Sequence, residues 1–91
     1  MLFVVISAPV PEPPSAVRER QQAFWSWLQT LMERGTVASA WRKAGRGVVA
    51  VLDVASHDEL HALLAQWAEH VPAAFEIHPV MPAPHGAQAG S

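Results

Sequence analysis

GVVAVLDVASHDELHALL, residues 47–64, joins two kinds of periodicity in one short stretch. Val48-Val49-Ala50-Val51-Leu52 is an unbroken apolar run, too short to span a membrane and rich in β-branched residues. It predicts a strand covered on both faces. After Asp53-Val54-Ala55 the pattern changes. Ser56 and Glu59 have capping-box spacing, with the hydroxyl directed to a free amide and the carboxylate back to the cap amide. Behind that cap, Leu60, Leu63, Leu64 and Trp67 share one helical face, predicting a helix from Ser56 to about His70. A strand buried on both sides needs two covers. Helices supply one; the other must be a second sheet, a second subunit or a ligand cavity.

Upstream, Leu2-Phe3-Val4-Val5-Ile6 predicts a second central strand. Proline has no amide to donate to a ladder, so Pro9 to Pro14 should end it as a stiff connector or, alternatively, a lip over a cavity. Ser15 is placed to cap a helix running to about Arg34. Its stripe is Val17, Phe24, Leu28 and Leu31, widened by Trp25, Met32 and Trp27, and Gly35 is placed for a left-handed end. Thr36 to Lys43 reads as a strand with Val37, Ser39 and Trp41 on one face. Ala44-Gly45-Arg46-Gly47 is turn material joining it to Val48–Val54 as a hairpin. Ala74 to Val80 reads as a last strand, with Phe75 and Ile77 opposite Ala74, Glu76 and His78. Pro79 suits its edge or end.

The expected order is therefore β-α-β-β-α-β, an α+β ferredoxin-like sandwich in residues 1–81, followed by a loose tail over residues 82–91. Both central strands are apolar, so face-to-face pairing of two sheets, a dimeric α/β barrel, is the economical cover for the face without helices.

The totals narrow the function. Ninety-one residues make one domain whose own core is small, yet the chain is 51% apolar and carries four tryptophans. That excess suits a subunit that assembles. A net charge of −2 argues against nucleic acid as a partner. With no cysteine there is neither a disulfide frame nor a thiolate metal site. His57 and His61 are spaced i, i+4, but no HExxH or third ligand accompanies them, so no metal is expected. Leu2–Val10 lacks a basic leader and meets prolines, so it reads as neither a signal peptide nor a span, leaving the cytoplasm as the expected location.

Several segments together resemble the muconolactone delta-isomerase family. They are the start MLFVV, Gly35 with Ala40-Trp41-Arg42, Leu52-Asp53-Val54, Glu59-Leu60-His61 with Leu63-Leu64, and Phe75-Glu76-Ile77-His78-Pro79-Val80. The resemblance covers nearly the whole domain apart from the tail. It implies a ferredoxin-like fold, dimers built into a larger ring-like homo-oligomer, and a cofactor-free isomerisation in aromatic-compound breakdown that moves a double bond in a small acidic lactone. Trp67 to Pro72, the wholly apolar Val48–Val51 and helix 1 around Arg18–Gln22 depart from the family. Those departures leave two alternatives open: a member acting in biosynthesis on a larger apolar substrate, or a non-catalytic small-molecule binder.

Shifting a double bond beside a carbonyl needs a base, a partner for the enolate charge, and a route for proton return. Glu76 and His78, two apart on a strand, share a face and are the expected catalytic acid–base couple. The alternative for them is an exposed strand rim. Arg42 is the expected carboxylate clamp, with Trp41 as a pocket wall. His61, matching the family, and His70, beside the divergent segment, complete the expected substrate-binding set. His70 also suits the negative end of its helix without any ligand.

Overall fold

The computed structural model describes residues 1–84. Its elements are β1 (Leu2–Pro9), α1 (Pro14–Glu33), β2 (Val37–Arg42), β3 (Val48–Asp53), α2 (His57–His70) and β4 (Ala73–Val80). The strands form one antiparallel sheet in the order β2-β3-β1-β4. This is the ferredoxin-like α+β arrangement, with the two apolar runs in the central positions. The expected tail lies largely outside the described residues.

Alternation along the strands separates two sheet faces. Phe3, Val5 and Ser7 of β1, Val48, Ala50 and Leu52 of β3, and Val37 of β2 are buried under the helices. Against this helix face pack Phe24, Leu28 and Leu31 of α1, and Leu60, Leu63, Leu64 and Trp67 of α2. Both helices thus bury the central stripes their periodicity predicts, while Trp25 and Met32, expected to widen that of α1, are exposed. The opposite, open face carries Leu2, Val4, Ile6, Val49 and Val51, all half-buried.

Four local expectations are corrected. β1 continues past Ile6 to Pro9, because Ala8 and Pro9 still pair with Ala74 and Ala73 of β4 and the Val10 amide bonds to Pro72 O at 3.2 Å. A proline is tolerated at the last position of a strand. Ser15 does not cap α1: Pro13 occupies the cap position, no side chain bonds there, and Pro14 uses its fixed φ in the first turn. At α2, Ser56 Oγ accepts from the Glu59 amide at 3.1 Å as expected, but the Glu59 carboxylate accepts from Ala55 N at 2.9 Å, one residue before the cap. In β2 the register shifts between Val37 and Ser39: Val37 opposes Leu52 and Ser39 opposes Val51. One extra residue in a strand reverses the facing of the residues beyond it. Val37 therefore joins the core while Ser39 and Trp41 turn to the open face. Arg42, opposite Val48, turns to the helix face.

Gly35 ends α1 with φ +81° as its position predicts. The glycine with more consequence is Gly47. At φ +123° it lets β3 start so close to β1 that a Cβ would stand 2.6 Å from Ser7 O.

Candidate functional site

Two arrangements of polar side chains stand on opposite faces of the sheet. The first is the couple expected from the sequence. Glu76 and His78 project from β4 on the open face, beside Ile6 and Val4, and His78 Nε2 lies 2.5 Å from Glu76 Oε2. Both side chains are more than half exposed. A carboxylate at this distance orients an imidazole and can exchange a proton with it. Their neighbours on β1 are aliphatic, so the pair is a polar island on an apolar surface.

The second is a cavity of about 210 Å³ between the helix face and the helices. It opens where β1 and β2 end, β3 begins and α2 ends. Phe24 and Trp25 of α1 and Trp67 of α2 wall it. Phe24 and Trp67 lie 5.2 Å apart, centroid to centroid. Pro9, the last residue of β1, contributes to the lining, whereas Val10 to Pro14 do not.

The cavity's polar side chains come from the end of β2 and the loop after it, from Ser7 of β1 and from Gln21 of α1. Arg42, Lys43 and Arg46 all line it. Lys43 Nζ donates to Ser7 O at 3.1 Å, and Arg46 donates to Val10 O at 2.6 Å. Ser7 is only 2% exposed, and its Oγ accepts the Val48 amide at 2.8 Å. That bond uses an acceptor site of the hydroxyl and leaves its hydrogen free to donate. Among the described residues, no carboxylate and no imidazole lines this cavity.

Of the six residues that the sequence points to, Arg42 alone reaches the cavity. Trp41 is 66% exposed and lies beyond the β2 bulge on the open face, with Trp25 and Arg42 around a shallow depression at the sheet edge. Trp41 and Arg42 thus share that depression, while of the two only Arg42 also lines the cavity. His61 is exposed on α2 and lines none of the depressions found among the described residues. His70 is half-buried against Trp27, with ring centroids 5.6 Å apart, which gives it a packing role. Neither histidine lines the cavity. Among the described residues no group of His, Cys, Asp and Glu could hold a metal ion.

Lys43, Arg46 and Ser7 are functional candidates that sequence reasoning misses. A signal for the first two exists: Arg42, Lys43 and Arg46 are half of the chain's six Lys and Arg, gathered in one glycine-containing turn. Ser7 carries no such mark, because a serine at the end of an apolar strand is ordinary.

The comparison with protein families gives a match over residues 1–91 to the family described as domain of unknown function DUF3303. The chain belongs to DUF3303. No match was found among curated proteins. Membership in DUF3303 assigns no chemistry, which leaves the acid–base couple and the cationic cavity as the grounds for a functional reading. No described helix is long and apolar enough to cross a membrane.

Proposed function

We propose that the protein is a cofactor-free isomerase resembling muconolactone delta-isomerase, shifting a double bond in a small lactone or related carbonyl compound by acid/base proton transfer. The observation that carries this reading is the Glu76–His78 contact of 2.5 Å beside the aliphatic Val4 and Ile6 of the open sheet face. A carbonyl compound lying on that face would meet one group to take a proton and a second to return it. Catalysis of this kind needs water kept off the reacting atoms. A second copy placed sheet to sheet would do that, so the proposal includes a homodimer with the couple enclosed between the open faces. It also includes a cytoplasmic site of action.

The test is direct. Purified protein is incubated with muconolactone and the conjugated enol-lactone is followed by absorbance. Turnover is expected, with a drop of about a hundredfold or more in Glu76→Gln or His78→Ala, the usual scale for losing a general acid or base. Wild-type rates in both variants would remove the couple from the mechanism. No turnover across a panel of lactones would end the isomerase reading.

One observation favours a second reading, a non-catalytic small-molecule binder. The cavity lies on the other side of the sheet from the couple and, among the described residues, is lined by no carboxylate and no imidazole. A ligand held there is bound and oriented out of reach of the Glu76–His78 couple.

A further inference from the structure

We propose that the cavity under the β2–β3 loop is a binding site for a small planar carboxylate, an aromatic or unsaturated-ring monoacid, held by Lys43 and Arg46 at the neck with Arg42 beside them. This holds whether or not Glu76 and His78 turn over a substrate, because those residues lie on the other face of the sheet.

Charge points to an anion. The chain as a whole is slightly acidic, at −2, yet three of its six cations line this one cavity and, among the described residues, no Asp or Glu does. Arg42, Lys43 and Arg46 take part in none of the ion pairs found among the described residues, which join Met1 to Asp53, Arg20 to Glu12 and His78 to Glu76. Lys43 and Arg46 are half-buried and spend hydrogen bonds on neutral backbone oxygens, Ser7 O and Val10 O. A half-buried cation without a counter-charge is unfavourable, and an entering anion relieves it. A hydrogen bond to a carboxylate is also roughly twice as strong as one to a neutral carbonyl.

Shape points to a ring. At about 210 Å³ the space exceeds the roughly 150 Å³ apolar cavity known to admit benzene in another protein. It therefore has room for one ring with a short substituent. Phe24, Trp25 and Trp67 offer that ring aromatic contacts, while the cations stand on the loop side. The buried Ser7 hydroxyl supplies a donor between the two zones. Inorganic phosphate satisfies the charge and leaves the aromatic wall unused, which is why a ring carboxylate is the better occupant.

The experiment titrates the full-length protein with benzoate, using benzyl alcohol and inorganic phosphate as controls. Tryptophan fluorescence and calorimetry are the readouts. Saturable benzoate binding is expected, at least about tenfold tighter than either control, weakened about tenfold in Arg46→Gln and in Lys43→Gln, and unchanged in Arg34→Gln, which removes an exposed cation away from the cavity. Circular dichroism confirms that each variant is folded, and either neck variant suffices if the other fails to fold. Equal affinity for benzoate and benzyl alcohol, or benzoate binding indifferent to the folded neck variants, would overturn the carboxylate assignment. Phosphate competing as well as benzoate would reduce the site to a general anion contact and overturn the ring requirement. Failure of benzoate to bind at millimolar concentration overturns the proposal outright and leaves the Glu76–His78 assay unaffected.

Discussion

Single positions in the loop between β2 and β3 carry much of what distinguishes this domain. Gly47 has to combine a left-handed backbone with contact against β1. In Gly47→Ala the new methyl would meet Ser7 O, a backbone atom that cannot swing aside, as well as the yielding end of Lys43. We expect a loss of about 1–3 kcal/mol, read as a lower urea midpoint with an unchanged slope. Gly45 also has positive φ, at +90°, but a methyl there meets nothing within 4 Å. Gly45→Ala should therefore cost less than Gly47→Ala, and the reverse order would refute the close-approach account. From the sequence both glycines read simply as turn residues. What separates them is the neighbouring strand, which lies far away in the chain and leaves no local trace.

Among the secondary-structure elements, the two helices start by different means. α2 begins with a serine whose hydroxyl accepts an amide, and α1 with a proline that has no amide to satisfy. Ser56→Ala should cost about 1 kcal/mol in chemical denaturation. Ser15→Ala, exposed and one residue inside its helix, should stay within about 0.5 kcal/mol. Equal losses at both would mean that the cap geometry is not what sets the difference. The central apolar stripes of both helices are legible, because a 3.6-residue period needs no knowledge of distant residues, but the width of the α1 stripe is not, since Trp25 and Met32 stay exposed. The faces of β2 are not. A two-residue period assigns Val37, Ser39 and Trp41 to one side, and the bulge against β3 splits them. That bulge turns Arg42 to the helix side and Trp41 to the open side, so Arg42 lines the cavity and the two meet only in the shallow depression at the sheet edge.

For the whole molecule, the question is what covers the open face. Leu2, Val4, Ile6, Val49 and Val51 lie on it in two adjacent central strands, with Trp41 at one margin and the Glu76–His78 couple at the other. An apolar sheet face of this kind ordinarily packs on another layer. Sedimentation at micromolar concentration should give twice the 9.9 kDa chain mass or a multiple of that. Val51→Lys should shift the protein toward monomer while its circular dichroism is kept, since the side chain points away from the helix-face core. A wild-type chain that stays monomeric and folded at high concentration would remove the enclosed chamber, and with it the setting proposed for proton transfer. The same chain would keep its cavity, whose walls all come from one copy.

The linear chain is enough to specify the kind, order and buried side of most elements: two apolar central strands, two amphipathic helices, and the polar couple sharing one face of the last strand. These follow from periodicities that operate over a few residues. Folding in three dimensions adds that the cations after β2 and the aromatics of α1 and α2 converge on one cavity, and that this cavity lies on the far side of the sheet from Glu76 and His78. The reason is physical: a bulge resets which way a strand faces, and the elements meeting at the cavity are brought together by sheet order, which no local pattern encodes.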